Sequence, residues 1–320
     1  MAEKARNKAE AEERKGDARR RPSIVQWSAK PESAAKHYGS AAQTLQQLKE
    51  TSRALTLLEK QAEALSESGD SFSSGRTFEH AVSLARTIPE ETRVHDLAIR
   101  ASEAYSQCNK AHAGAFALQR AAPALSNDAA RAKLYGQAAD LMVQEDRVHE
   151  SLEPRRQEAA SYASDGHTSK CVHALLQLGS DAEQCQSPHQ QAQAYLSAIV
   201  TQLHDGDASG ALATLGDARE VEAFECSQQC GAAIGVLEAY KTSRNRDDIR
   251  KAVRAYPSFR HLEQAFARMA LALPTDEMQL ERMASSLSAS AQGEEHHRSA
   301  AEELEEPAEE EGRKDTEDLT

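Results

Sequence analysis

Aromatic residues and glycine are scarce in this chain of 320 residues. Only 4% of the residues are aromatic, one is a tryptophan and 15 are glycines. This composition gives few signals for β-strands, whereas the abundant Ala, Leu, Gln, Glu and Arg favour helices. We therefore expect an all-α protein that is long enough to bury a sizeable core.

Long apolar runs and catalytic sequence patterns are also missing. There is no run of 18 apolar residues and no apolar signal region at the N-terminus, so neither a membrane span nor secretion is predicted. Phosphate-binding glycine loops do not occur, and neither do the HExxH and GxSxG patterns. The sequence therefore predicts no enzyme, no cofactor and no metal site.

The cysteines are few and odd in number. Five cysteines argue against a disulfide framework, and their spacing does not match a zinc site. They are interpreted as ordinary thiols in a reducing compartment, which predicts a cytoplasmic protein. The five are Cys108, Cys171, Cys185, Cys226 and Cys230.

The charge is negative overall and unevenly distributed. The formal net charge is −13, and residues 294–320 alone carry 12 acidic and 3 basic side chains. Residues 1–21 carry 5 acidic and 8 basic side chains. An acidic chain without a basic stripe is a poor nucleic-acid binder, because phosphate neutralisation supplies most of that affinity. No nucleic-acid partner is therefore predicted.

One pattern of large, small, small and apolar residues returns about every 20 residues. Positions i, i+3, i+4 and i+7 lie on one helical face, and small residues there allow a neighbouring helix to approach closely. The period predicts one helix and a short turn per unit, and hence a right-handed superhelical α-solenoid of antiparallel, tetratricopeptide-like pairs. The clearest copies are Tyr38-Ala41-Ala42-Leu45, Phe78-Ala81-Val82-Ala85, Leu118-Ala121-Ala122-Leu125 and Tyr135-Ala138-Ala139-Met142.

Changes in composition divide the chain into three parts. Residues 1–21 form a polar N-terminal extension that has no apolar stripe and is expected to bury little. Residues 22–275 form the solenoid, and residues 276–320 form a Ser/Ala-rich and then acidic tail that is expected to be mostly disordered. Within the solenoid, Pro154 falls inside one predicted helix, which should kink or begin late. Two other predicted helices cover residues 168–178 and 259–272.

Four stretches stand in an order and register that is typical of one protein family. They are the segment 27–42 (WSAKPESAAKHYGSAA), Phe78-Glu79-x-Ala81, Leu118-Gln-Arg120-Ala121, and Tyr256-Pro257-Ser-Phe259 continuing to Ala270-Leu271-Ala-Leu273. Together they resemble the soluble NSF attachment proteins, and the gamma type more than the alpha type, over about residues 22–275. The family's first helix is amphipathic, whereas residues 1–20 here are almost wholly polar.

The resemblance implies an adaptor without catalysis of its own. Members of the family coat the four-helix SNARE bundle, which contains syntaxin-type helices, and recruit the AAA+ ATPase NSF that unwinds it after membrane fusion. Such a protein acts in vesicle-mediated intracellular transport, with weak peripheral contact to membranes of the secretory and vacuolar system. The alternative is a tetratricopeptide-like interaction scaffold unrelated to SNAREs.

The resemblance also implies two terminal contacts. The acidic C-terminus Glu317-Asp318-Leu319 would engage the ATPase, with the leucine in a small apolar pocket and the carboxylates at a basic rim. The alternative is a chance tripeptide in an acidic tail. An apolar loop of Ile24, Val25 and Trp27, preceded by three arginines, would touch the bilayer. Alternatively, the tryptophan packs over the first helix pair.

Basic residues of the solenoid that face acidic SNARE helices are implied as a third set. Charges of this kind steer a partner more than they add affinity. The alternative for each is a solvated helix surface. The candidates are Arg93, Arg100, Arg120, Arg147, Arg155, Arg156 and Lys170, with Lys110 and Arg131 as further contributors.

Overall fold

The computed structural model describes residues 2–20, 29–88, 91–243, 245–273, 281–283 and 285. Within these ranges every regular element is a helix, which confirms the predicted all-α fold. The helices are α1 (Ala2–Arg20), α2 (Pro31–Gln47), α3 (Thr51–Glu67), α4 (Ser71–Ala85), α5 (Glu91–Gln107), α6 (Ala111–Ala121), α7 (Asp128–Gln144), α8 (Val148–Ser164), α9 (Thr168–Gln184), α10 (Pro188–Asp205), α11 (Ala208–Arg219), α12 (Glu222–Glu225), α13 (Gln228–Thr242), α14 (Arg246–Ala255) and α15 (Gln264–Ala272), with short 3₁₀ helices at Ala122–Ala124 and Pro257–His261.

Helices α1 to α10 form a stack in which each helix packs mainly against the one before it and the one after it. The short turns make successive helices antiparallel, so the stack is the predicted tetratricopeptide-like α-solenoid. The repeated small residues lie in the helix interfaces, where Ala41, Ala42, Ala138 and Ala139 are buried. The small residues that recur in the sequence are therefore the residues at which neighbouring helices pack.

Seven turns between helices share one backbone conformation. A residue with positive φ follows the helix at Lys49, Gly69, Asn109, Asp146, Gly166, Gln186 and Gly206. The next residue then donates its N–H to the carbonyl five positions back, as from Glu50 to Leu45 at 2.9 Å. This is the Schellman arrangement, which satisfies the free carbonyls at a helix end. It reverses the chain at a fixed point and thereby sets the 20-residue period.

Helix α1 packs along α2, although its sequence has no apolar stripe. Gly16 and Ala9 are buried, and a Cβ atom at position 16 would come within 2.6 Å of the Tyr38 ring. Tyr38 is fully buried, and its hydroxyl donates to Asp17 at 2.8 Å. Only Ala9 and Gly16 of residues 2–20 are buried, but the segment is a helix that packs closely on α2. Close approach here depends on small side chains, which an apolar periodicity does not register.

Two helices of the stack differ from their predicted bounds. Helix α8 begins at Val148 and continues through Pro154, so the predicted late start is wrong. Helix α9 runs six residues beyond the predicted end at 178, because Ala182 continues its buried face.

The C-terminal part closes on itself instead of continuing the stack. Helix α10 packs against α11, α12, α13 and α15 as well as α9, and α15 also reaches α8. Phe224, Phe259 and Phe266 fill this part of the core. The predicted helix over 259–272 is two elements, the 3₁₀ helix Pro257–His261 and α15. The core consists of two apolar clusters. The first extends from α1 to α7 and the second from α7 to Met283, so α7 contributes side chains to both.

Candidate partner-binding surface

Two of the predicted basic residues lie on one face of α5 and contact α3. Arg93 and Arg100 are seven residues apart and therefore share a helical face. Arg93 Nη2 lies 2.9 Å from Glu59 Oε1, and Arg100 Nη2 lies 2.6 Å from Glu63 Oε1. The Arg100 guanidinium also lies over the Phe78 ring at 4.4 Å. These cations are brought together, but each is already neutralised.

The ion pairs continue across three helices. Glu63 on α3 accepts from Arg100 on α5 and also from Arg20 on α1, whose Nη1 lies 3.0 Å from Glu63 Oε2. Burial alone would raise the pKa of Glu63, but hydrogen bonds from the two arginines outweigh it and lower the pKa. Lys60 on α3 pairs with Glu13 on α1 at 2.7 Å. Helices α1, α3 and α5 are thus linked side by side through charges.

Two open grooves lie along this series of helices. The first has a volume of about 310 Å³ between α1, α3 and α5, and the second has about 690 Å³ between α5 and α7. Both are lined by Glu103 and Gln107 of α5. The larger groove adds the carboxamides of Gln137 and Gln144 over an apolar floor that includes Leu118. Mixed polar walls over apolar floors suit the side chains of a partner helix.

Arg120 and Arg147 belong to a different part of the surface. Arg120 on α6 pairs with Glu79 on α4 and is largely exposed. Arg147 precedes α8, pairs with Glu150 and lies over the Phe116 ring at 5.9 Å. Phe116 is itself an exposed aromatic residue of α6.

Arg155 is buried and cannot face a partner. Its side chain is only 6% exposed and lies among three carboxylates from three helices: Asp140 of α7, Glu158 of α8 at 3.2 Å, and Asp181 of α9 at 3.4 Å. Ser151 donates to Asp181 at 2.7 Å and completes the cluster. The prediction that Arg155 faces SNARE helices is therefore wrong. A cation on a helix can lie in a helix interface when carboxylates of neighbouring helices surround it there.

The last two candidates lie on α8 and α9. Arg156 pairs with Glu153 on the same helix. Lys170, in the first turn of α9, is exposed and lies over the Tyr162 ring at 5.6 Å. In the part of the chain that the structure describes, Lys170 has no carboxylate within ion-pair distance, so its charge is available to a partner. Of the two further contributors, Lys110 is exposed and Arg131 pairs with Asp128.

A small polar cavity lies where α15 meets α8, α9 and α10. Its volume is about 30 Å³, and it is lined by Arg156, Gln190 and Glu263 among others. One carboxylate oxygen of Glu263 is buried without a hydrogen-bond partner among the described residues. Burial raises the pKa of Glu263, and the charge of Arg156 offsets this only in part. Ionised Glu263 therefore costs stability.

We expect Glu263→Gln to raise the melting temperature at pH 8 and to leave it unchanged at about pH 4. The folded pKa lies above the unfolded one, so the cost of ionisation is absent below the usual glutamate range and complete above the raised pKa. Thermal unfolding at several pH values measures the difference. Glu238→Gln, at an exposed position of α13, is the control. A gain of equal size at both pH values would contradict the assignment.

The described residues contain no group of three His, Cys, Asp or Glu side chains placed to hold a metal ion. None of their helices is both long enough and apolar enough to cross a membrane. All five cysteines are free thiols, and burial raises the pKa of Cys171 to about 12.

The predictions for the chain termini fall outside the described residues. Ile24, Val25 and Trp27 lie in the undescribed segment 21–28, and Glu317, Asp318 and Leu319 lie in the undescribed segment 286–320. Most of residues 276–320, for which disorder is predicted, also lies outside the described residues; within that range, residues 281–283 are helical and Met283 is buried.

The acidic partners of α5 were not identified from the sequence. Glu59 and Glu63 lie about one turn apart on one face of α3, and Arg93 and Arg100 lie two turns apart on one face of α5. Opposite charges recurring on single faces of helices two units apart are the signal that could have identified these pairs.

The chain is similar to two known proteins. No protein-family model matches the chain. The apo form of RapI aligns with 81% of this chain and 99% of its own at 13% identity, with a TM-score of 0.34. The gamma-soluble NSF attachment protein of Arabidopsis thaliana is 27% identical over 270 residues, which cover 82% of this chain and 91% of that protein. The chain is therefore similar to a soluble NSF attachment protein over most of its length, in agreement with the resemblance that the order of its motifs indicated.

Proposed function

We propose that this chain is an adaptor that binds assembled SNARE complexes and recruits the NSF-type AAA+ ATPase for their disassembly in vesicle-mediated transport. The observation that carries the proposal is the match to a gamma-soluble NSF attachment protein along 91% of that protein's length. A stack of antiparallel helices suits the role, because it offers a long surface to a coiled coil that has few distinctive features. The adaptor contributes binding and alignment, and the ATPase contributes the chemistry.

The surface proposed for the SNARE bundle is the series of α1, α3, α5 and α7 with its two grooves. The arginines of this surface are already paired with carboxylates, so its net charge is small. Binding would therefore depend on shape and apolar contact in the grooves. Exposed cations such as Lys170 would add steering toward acidic SNARE helices.

The function is tested by mixing the purified chain with an assembled SNARE four-helix bundle and NSF. We expect a ternary complex when ATP cannot be hydrolysed and release of the separate SNARE proteins when it can. A folded chain that fails to bind the bundle would favour the alternative, a tetratricopeptide-like scaffold for another partner.

The surface is tested separately with Gln137→Trp, which places an indole in the larger groove. We expect this change to weaken binding of the SNARE bundle about tenfold, equivalent to ~1.4 kcal/mol. The control is Gln264→Trp, at an exposed position of α15. If the ternary complex forms normally with both variants, the function stands and the surface lies elsewhere.

We propose that Glu317, Asp318 and Leu319 engage the ATPase. We expect Leu319→Ala to reduce stimulation of ATP hydrolysis severalfold while binding of the SNARE bundle is retained, because a pocket-filling side chain is lost but the stack is untouched. Thr320→Ala is the control at the adjacent position. Equal stimulation by the wild type and by Leu319→Ala would remove this assignment.

We propose that Ile24, Val25 and Trp27 give the chain a weak peripheral contact with membranes of the secretory and vacuolar system. We expect Trp27→Ser to reduce co-sedimentation with anionic liposomes without changing helicity, since tryptophan favours the membrane interface. The effect should be larger at low salt, where the attraction between the basic residues before this loop and anionic lipid is screened least. Unchanged co-sedimentation would favour packing of Trp27 over the first helices.

A further inference from the structure

Helix α14 carries two arginines that pair with no carboxylate among the described residues, and a lysine that remains largely exposed. Arg250 and Arg254 form no ion pair with any carboxylate in the described part of the chain. Lys251 pairs with Asp248 at 3.1 Å but keeps 76% of its side chain exposed. This contrasts with α3 and α5, where Arg53, Arg93 and Arg100 are held by carboxylates of other helices. The cations of α14 are therefore free to bind something else.

The sequence of α14 places these charges on one side. Ile249 and Val253, four residues apart, are buried and fix the inward face. Arg250 and Arg254 follow them by one residue each, so they form a stripe beside the buried face. The elements packed against α14 add two more exposed arginines without a described carboxylate partner, Arg260 of the 3₁₀ helix and Arg268 of α15.

Counting charges makes the contrast clear. Residues 246–268 contain six Lys and Arg side chains and three Asp and Glu side chains, in a protein whose net charge is −13. One of the three carboxylates, Glu263, lies in the small cavity described above. Another, Asp248, is held by Ser243 and Lys251. Residues 246–268 thus carry a net positive charge in a protein that is acidic overall.

The same chain contains a segment of opposite charge within reach. Residues 294–320 carry 12 acidic and 3 basic side chains. They are joined to α15 through residues 274–293, and α15 packs directly against α14. Met283, within this connection, is buried in the core of the C-terminal part. The eight residues 286–293 span at most about 29 Å when fully extended, whereas the ten residues of α14 are about 15 Å long. The connection therefore exceeds the length of α14, and the 27 residues of the acidic segment extend its reach further.

We propose that residues 294–320 bind in cis to the basic face of α14, which we define by Arg250, Lys251 and Arg254. Exposed ion pairs are individually weak and are screened by salt. The covalent connection compensates, because it raises the effective concentration of the acidic segment to the millimolar range. The contact is therefore reversible, and a partner that binds the acidic segment must compete with α14 for it. This inference does not depend on the proposed function.

Zero-length carbodiimide cross-linking of the full-length chain tests the proposal. This reagent joins a carboxylate to an amine in direct contact, and Lys251 supplies the amine on α14. We expect intramolecular cross-links from residues 294–320 to Lys251 at 50 mM salt, with at least a fivefold loss at 500 mM salt. Mass spectrometry of the monomer band identifies the linked peptides. Lys49 and Lys110, exposed in turns of the stack, serve as reference amines.

A charge-neutral variant separates this face from the other cations. We expect Arg250→Gln with Arg254→Gln to reduce cross-linking to Lys251 at least threefold, while helicity is retained because neither side chain is buried. Arg14→Gln with Arg86→Gln removes two exposed arginines, from α1 and the end of α4, that pair with no described carboxylate, and should have no effect. Three outcomes would overturn the proposal: equal cross-linking to the reference lysines, cross-links found only between two chains, or an unchanged yield in the α14 variant.

Discussion

Replacement of Arg155 by alanine is expected to lower the free energy of unfolding by about 3–5 kcal/mol. Arg155 is buried among Asp140, Glu158 and Asp181, which come from three successive helices. Removing the cation leaves carboxylates together in a poorly solvated interface. Burial already raises the pKa of Glu158 although Arg155 opposes this effect. The loss should therefore be largest at neutral pH and smaller in acid, where the carboxylates become protonated.

The measurement is chemical denaturation followed by circular dichroism. Arg219→Ala is the control, since it removes an arginine whose ion pair with Glu225, at 2.8 Å, lies on the surface. That variant should lose less than about 1 kcal/mol. If the two variants were equally stable, the buried cluster would contribute nothing beyond a surface ion pair. A SNARE-binding defect in a stable Arg155→Ala variant would instead support the sequence-based role that the structure rejects.

Replacement of Tyr38 by alanine is expected to destabilise the N-terminal helices by about 3–5 kcal/mol, the usual range for a large buried aromatic side chain. The Tyr38 ring is fully buried and fills the space left by Gly16 of α1. Loss of this ring creates a cavity between α1 and α2, and α1 has no large apolar side chain of its own with which to fill it. Because a stack of this kind transmits contacts between neighbours, the effect should be confined to α1, α2 and α3.

Hydrogen exchange resolved by peptide measures this local effect. Protection should fall sharply in residues 2–20 of Tyr38→Ala and remain unchanged in α9 and α10. Tyr38→Phe keeps the ring and removes only the hydrogen bond to Asp17, so it should cost about 1 kcal/mol. Protection of α1 that survives Tyr38→Ala would mean that the ion pairs with α3, such as Lys60 with Glu13, hold the helix without the ring.

The fold was largely predictable because its information is local. The small residues Ala41 and Ala42 recur in register, and in the structure they are the buried contacts between helices. The helix α1 was not predicted to pack, since Gly16 and Ala9 leave no apolar signal. The break between the 3₁₀ helix and α15 was also missed, because the aromatic spacing of Phe259 and Phe266 looks continuous in sequence.

The candidate surface was less predictable, because charges reveal their role only through their partners. Arg155 and Arg156 are adjacent in sequence, yet one is buried in an interface and the other pairs on the surface. Arg100 reads as a free cation until Glu63, from a helix two units earlier, is placed beside it. Side-chain type gives the sign of a charge, whereas tertiary packing decides whether that charge remains available.

The two kinds of packing in this chain give it unequal mechanical ends. Helices α1 to α9 contact mainly their neighbours, so a pulling force on the N-terminus would peel them one by one. Each step would release about 20 residues, or up to ~70 Å of chain. The C-terminal part would resist as a unit, because α15 ties α8, α10 and α14 together. Under force, the N-terminal helices would therefore unfold stepwise. The C-terminal part from α10 to α15 would instead transmit the force with little extension.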